Sequence, residues 1–136
     1  MEIFKECCAI AVVKDKKVLL GLRKDGQGWS MAGGKLEKGE NYEMAAMREL
    51  KEEFNLVANE LYDLGNIESN AYVRGEEKKV SPKVFLCKNF SGDEKPQDDE
   101  MKELRWFLLD ELKELSLFLP TKEVIDKYKN EIFRCL

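Results

Sequence analysis

The chain has 136 residues, 27 of them acidic and 23 basic, for a net charge of −4; no broad basic surface for duplex nucleic acid is expected, and a small anionic substrate would need local positive charge or a metal. Histidine is absent, which excludes Ser-His and Cys-His catalysis and His-ligated zinc and leaves acid–base work to carboxylates or lysine. The length suits a single domain over 1–136 with a real core.

The opening MEIFKECCAIAVV carries Glu2, Lys5 and Glu6, and its apolar run is too short for a signal peptide or a membrane span. This predicts a cytoplasmic protein that engages no membrane. Cys7, Cys8, Cys87 and Cys135 lack paired metal-ligand spacing and read as core or surface thiols of a reducing compartment. Residues 6–13 and 17–23 predict two strands joined at Lys14, Asp15 and Lys16. A flexible loop follows at 25–28, then a helix with Asn41 as N-cap that ends near Asn55. Residues 61–73 and 80–89 are strand-like around a polar turn at 75–78, and 91–99 reads as a mobile acidic loop. Another strand is predicted at 104–109, with Asp110 capping a short helix. Pro120 opens a last helix, in which Val124, Ile125, Tyr128, Ile132 and Phe133 recur at helical spacing. There is no repeat, low-complexity tract or linker, and the interleaved elements define an α/β domain.

Residues 34–56 read GKLEKGENYEMAAMRELKEEFNL. On a helix, Glu49, Glu52 and Glu53 fall within a sector of about 100°, with Met47, Leu50 and Phe54 opposite. Three carboxylates on one face repel unless a cation or basic groups neutralise them, and a hard divalent ion such as Mg²⁺ fits oxygen donors while keeping sites open for water and phosphate oxygens. The competing reading is a solvated acidic helix face. Gly33 and Gly34, just upstream, weigh toward a site, since glycine lets a backbone approach a ligand closely or take positive φ.

The segment resembles the Nudix box: Gly, five residues, Glu, seven residues, then Arg-Glu-aliphatic-any-Glu-Glu-any-Gly-aliphatic. Eight of nine positions match, through Gly34, Glu40, Arg48, Glu49, Leu50, Glu52, Glu53 and Leu56. Asn55 replaces the late glycine, and asparagine tolerates the left-handed conformation that ends helices. Ala32 stands where the family usually has proline before the double glycine.

The resemblance implies the Nudix fold, a mixed β-sheet sandwiched between helices, over nearly the whole chain. It implies Mg²⁺, with Mn²⁺ as the other candidate, held by Glu52 and Glu53 with help from Glu49 and a carbonyl at Gly33. Glu49, or an acid outside the box, would be the base. Arg48 would orient the acids by bidentate pairing, and Glu40 either reaches the site or favours the positive end of the helix. Glu100 would be the extra ligand or base, in competition with Asp98, Asp99 and Glu103, each of which could instead be solvated loop. Arg23, Lys24, Trp29 and Lys35 are the substrate-binding candidates, although a Trp in the position of Trp29 is more often a packing residue at the loop entrance than a stacking platform for a nucleobase. Tyr72, Arg74 and Lys83 could reach substrate from central strands, and 117–121 could line a base pocket.

The activity implied is MutT-like hydrolysis of a nucleoside triphosphate to nucleoside monophosphate and pyrophosphate. The alternatives are a Nudix hydrolase of nucleotide sugars or dinucleoside polyphosphates, and a non-catalytic nucleotide-sensing module. Loss of the acidic triad would mark the sensing module, and here Glu49, Glu52 and Glu53 are all present.

Overall fold

The computed structural model describes residues 5–73, 75–97 and 100–134; Arg74, Asp98, Asp99 and Cys135 lie outside the described residues. The first hairpin joins β1 (Lys5–Lys14) to β2 (Lys17–Arg23). Lys14 already pairs with Lys17, so the turn is only Asp15 and Lys16, both left-handed at φ 53° and 64°, as the twist of a two-residue hairpin requires. There follow β3 (Trp29–Ser30), β4 (Ala32–Lys35), α1 (Tyr42–Phe54), β5 (Val57–Asn66), β6 (Ser69–Val73), β7 (Glu76–Ser91), β8 (Met101–Leu108), a 3-10 helix (Leu109–Glu114) and α2 (Leu119–Phe133).

Among the described residues, eight strands form one sheet whose central path runs β3, β2, β1, β7, β5; β4 pairs with β1, β6 with β7 and β8 with β2. The β1/β7 pair is parallel, with Ile10 opposite Phe85, and the other pairings are antiparallel, so the sheet is mixed. Side chains alternate across a strand, and both faces here are apolar. Ala11, Val13, Val18, Leu20, Val84 and Leu86 pack under Val124, Ile125, Tyr128, Ile132 and Phe133 of α2. Their neighbours Ile10, Val12, Leu19, Phe85 and Cys87 pack under Ala45, Ala46, Leu50 and Phe54 of α1. The sheet is therefore covered by a helix on each face, as expected of the Nudix fold.

Several local expectations change. Gly33 and Gly34 lie in strand β4 rather than in a loop, and neither has positive φ. The stretch expected as one strand over 61–73 is two, broken at Ile67 and Glu68, and the following turn is tighter than 75–78 because β7 already begins at Glu76. Met47 faces outward at 42% exposed, and Ala45 and Ala46 take the core side instead. Asp110 lies inside the 3-10 helix and does not cap it; Glu111 accepts the Leu108 N–H at 2.7 Å.

Candidate active site

Helix α1 is fixed at both ends by asparagine. The Asn41 side chain accepts the Met44 N–H at 2.8 Å, and Asn55 closes the helix in the left-handed conformation at φ 61°, ψ 34°. Between these caps, Arg48, Glu49, Glu52 and Glu53 point in three directions. Glu53 is buried at 1% exposed. Its Oε1 accepts the Gly33 N–H at 2.8 Å, and its carboxyl shares a hydrogen bond with Glu100, which β8 and the preceding loop bring in. Burial, then the Glu100 bond and the nearby charges of Glu49 and Glu100, push the Glu53 carboxyl far above the usual carboxylate range, to about 10. Glu49 lies at the surface of the same cleft, packed so closely on Gly34 that a Cβ there would overlap its carboxylate. A Cβ on Gly33 would overlap the Cys8 carbonyl of β1. Close approach to backbone, not positive φ, is what requires Gly33, whereas a side chain at Gly34 would displace the Glu49 carboxylate.

Arg48 gathers the remaining acids. It pairs with both Glu40 oxygens at 2.7 and 3.0 Å, Glu52 at 3.2 Å, Glu49 at 3.6 Å and Glu37 at 3.6 Å, and donates to the Lys35 carbonyl at 3.0 Å. Glu40 is thus tied to Arg48 and to the Glu37 N–H. Glu52 is exposed beside Arg48 and does not line the cleft. Among the described residues, no three acidic or cysteine side chains converge into a ready-made ion cage.

The cleft has a volume of about 460 Å³, within the range of small-molecule sites. Its lining includes Gly33, Gly34, Arg48, Glu49 and Glu100, together with Phe118, Pro120 and Thr121 at the start of α2 and with Ala71, Val80 and Pro82. Arg23, Lys35 and Lys78 supply cations along it. Arg23 is held by Asp25 at 2.6 Å and stacks on Phe118, 4.1 Å from the ring centre; those Arg23 bonds hold the Asp25 carboxyl down at about 2. The wall thiols are pushed up by burial, Cys7 to about 11 and Cys8 to about 12, so neither is a nucleophile at neutral pH.

Of the residues singled out from the sequence, Gly33, Glu49, Glu53 and Glu100 come together, and Arg23, Lys35 and Arg48 line the cleft beside them. Two substrate-binding candidates do not. Trp29 packs in the core, edge-to-face on Phe107 at 5.0 Å, because its strand faces α2. Lys24 is exposed off the cleft, and what it contributes is its N–H, which donates to the Glu100 carbonyl at 2.8 Å. Tyr72 and Lys83 also lie off the cleft lining, Lys83 paired with Asp63 at 3.1 Å. The sequence reading missed Lys78, Met31, Ala71, Val80 and Pro82, whose strand alternation alone does not say which face meets the cleft. Of the 117–121 stretch, Phe118, Pro120 and Thr121 are in the wall.

The raised Glu53 carboxyl makes stability depend on pH. Its value is about 10 in the folded chain against 4.5 for the ordinary side chain, so between these limits the folded state holds a proton that the unfolded state releases. The stabilisation is full below the lower value and is lost as pH rises toward the upper one. In chelator, the urea midpoint should therefore fall from pH 5 to pH 9, and Glu53→Gln should flatten the slope; equal slopes in both proteins would contradict the assignment.

The NUDIX domain model matches residues 6–128, and the chain belongs to this family. It is 38% identical over 106 residues to the oxidized purine nucleoside triphosphate hydrolase of Danio rerio, an alignment that covers 76% of this chain and 65% of that protein. The match thus spans less than two thirds of the relative's length. The crystal structure of the MutT NUDIX hydrolase from Burkholderia pseudomallei superposes with a TM-score of 0.72 at 29% identity, covering 80% of this chain and 86% of that one. The NUDIX domain of Shewanella oneidensis NrtR, solved with ADP ribose, shares the fold at a TM-score of 0.79 and 16% identity, over 97% and 90% of the two chains. Among the described residues, no helix is long and apolar enough to cross a membrane.

Proposed function

We propose that the protein is a single-domain, MutT-like pyrophosphohydrolase that cleaves a nucleoside triphosphate to nucleoside monophosphate and pyrophosphate. One observation carries the reading: the buried Glu53 carboxyl is bonded to Gly33 and Glu100 behind a cleft of nucleotide size lined by acids, cations and apolar side chains. An oxidised purine nucleoside triphosphate is the substrate to try first, because the Danio rerio relative carries that name. Free thiols at Cys7, Cys8 and Cys87 suit a cytoplasmic location.

Hydrolases of this family generally work with a divalent metal, and the acids here fit one. They offer carboxylate oxygens only, and the charges of Glu49 and Glu100 add to the burial that raises the Glu53 carboxyl. Glu49, Glu53 and Glu100, with the Gly33 backbone, would hold Mg²⁺, or Mn²⁺ in its place, and Glu52 would complete the set from the solvent side. When bound, such an ion offsets phosphate charge and makes water more acidic. Glu49 or Glu100, at the cleft surface, takes the proton of the attacking water. Arg23, Lys35 and Lys78 bind and orient the phosphates, and Phe118, Pro120 and Thr121 shield the nucleoside end from solvent. Arg48 keeps Glu49 and Glu40 in place.

The test is identification of the products (pyrophosphate, nucleoside phosphates and sugar phosphate) with Mg²⁺ and with chelator across nucleoside triphosphates, oxidised nucleotides, nucleotide sugars and dinucleoside polyphosphates. Chelator-sensitive release from a triphosphate, fastest for an oxidised purine, is the expected result. Turnover only of sugar or dinucleotide substrates would replace the reading with another Nudix specificity, and binding without turnover would make the protein a sensing module.

A further inference from the structure

Glu53 and Glu100 meet although they come from elements far apart in sequence, and residues 92–97, upstream of Glu100, are held against α1. The described residues show how. The last carbonyls of a helix have no partner within it, and here the loop supplies donors: Lys95 N–H to the Phe54 carbonyl at 3.0 Å and Gln97 N–H to the Glu53 carbonyl at 3.3 Å. The Asn55 side chain adds a third tie. Its Nδ2 donates to the Asp93 carbonyl at 2.9 Å, and its Oδ1 accepts from Lys51 Nζ at 3.0 Å. Gly92, at φ 104°, lets the loop start pass so close that a Cβ there would sit 2.9 Å from the Asn55 carbonyl oxygen. Farther out, Trp106 Nε1 donates to Glu94 at 2.8 Å.

A glycine at 55, as the Nudix box specifies, would supply the left-handed helix end but neither side-chain bond. Asn55 supplies both. We propose that Asn55 is a positioning residue for catalysis: by tying Asp93 to the end of α1 it sets the loop that presents Glu100 to Glu53. The inference rests on the reading of Glu100 as part of the catalytic site.

The experiment compares wild type, Asn55→Gly, Glu100→Gln and the double variant. Asn55→Gly keeps the helix end and removes both side-chain bonds, of which only the one to Asp93 reaches the loop, so kcat should fall about fivefold, the equivalent of one neutral hydrogen bond, with KM for the nucleotide changed less than about twofold. In the Glu100→Gln background the same substitution should have no further effect, since a residue that acts only through Glu100 has nothing left to position. Amide hydrogen exchange on the metal-free protein gives a readout apart from activity: the Lys95 and Gln97 amides should exchange about tenfold faster in Asn55→Gly. Unchanged exchange, unchanged kcat, or an equal loss in both backgrounds would overturn the proposal. Wild-type kcat in Glu100→Gln would also overturn it, and that result would locate the failure in the role given to Glu100 rather than in Asn55.

Discussion

Glu53→Gln should lower kcat by about a thousandfold, in the range seen when an acid–base or electrostatic group is removed from a site, while the metal-free protein melts at or above the wild-type temperature. The two halves of this expectation share one cause. With its carboxyl pushed up to about 10, Glu53 is neutral in the metal-free fold, and a glutamine amide has the same shape and charge as that neutral acid. Glutamine can accept the Gly33 N–H and donate to Glu100, so the pocket loses nothing in chelator. It cannot become a carboxylate, so a divalent ion loses a buried anionic ligand and the protein loses most of the stabilisation that ion binding contributes. Thermal shift with and without Mg²⁺, beside steady-state kinetics, separates the halves. Retained turnover would remove Glu53 from the site, and a large loss of stability in chelator would show that it is ionised in the fold.

Arg48→Ala should cost about 2 kcal/mol of stability, between the values for exposed and for fully buried ion pairs, and lower Tm by about 6 °C for a domain of this size. Arg48 is only 21% exposed, and its best partner Glu40 is 12% exposed, so the alanine leaves poorly solvated carboxylates without a counter-charge. Arg48→Lys should recover less than half of the loss, because a point charge cannot reproduce the bidentate fork to Glu40 together with the bonds to Glu52 and the Lys35 carbonyl. Urea denaturation of the three proteins at low and high salt decides it. Full rescue by lysine would mean that charge alone matters at this position.

The acid end of the site was legible because one helix fixes it. Glu49 and Glu53, four residues apart, share a face whatever the rest of the chain does, and Asn41 and Asn55 mark the ends of that helix by side-chain chemistry readable from sequence. Glu52 was grouped with them by the same rule, but a sector of 100° is wide enough to hold both a buried acid and a solvated one, and the approach of β4 decides between them. The strands β3 and β4 were invisible because two- and four-residue strands containing paired glycines carry no periodic signal. Trp29 fell to the core for the same reason, since nothing local says which way a two-residue strand faces. The wall formed by Val80 and Pro82 depends on the parallel pairing of β1 with β7, a contact between distant segments that only the folded sheet creates.

The two helices that frame the cleft belong to opposite faces of the sheet, α1 with the acids on one core and α2 with Phe118, Pro120 and Thr121 on the other. The acids and the apolar wall are therefore carried by separate cores. Under the proposed function, changes around Phe118 and Thr121 would alter which base is accepted without touching the packing that keeps Glu53 buried, provided they preserve the Arg23 stack on Phe118 and the Thr121 bond to Met31.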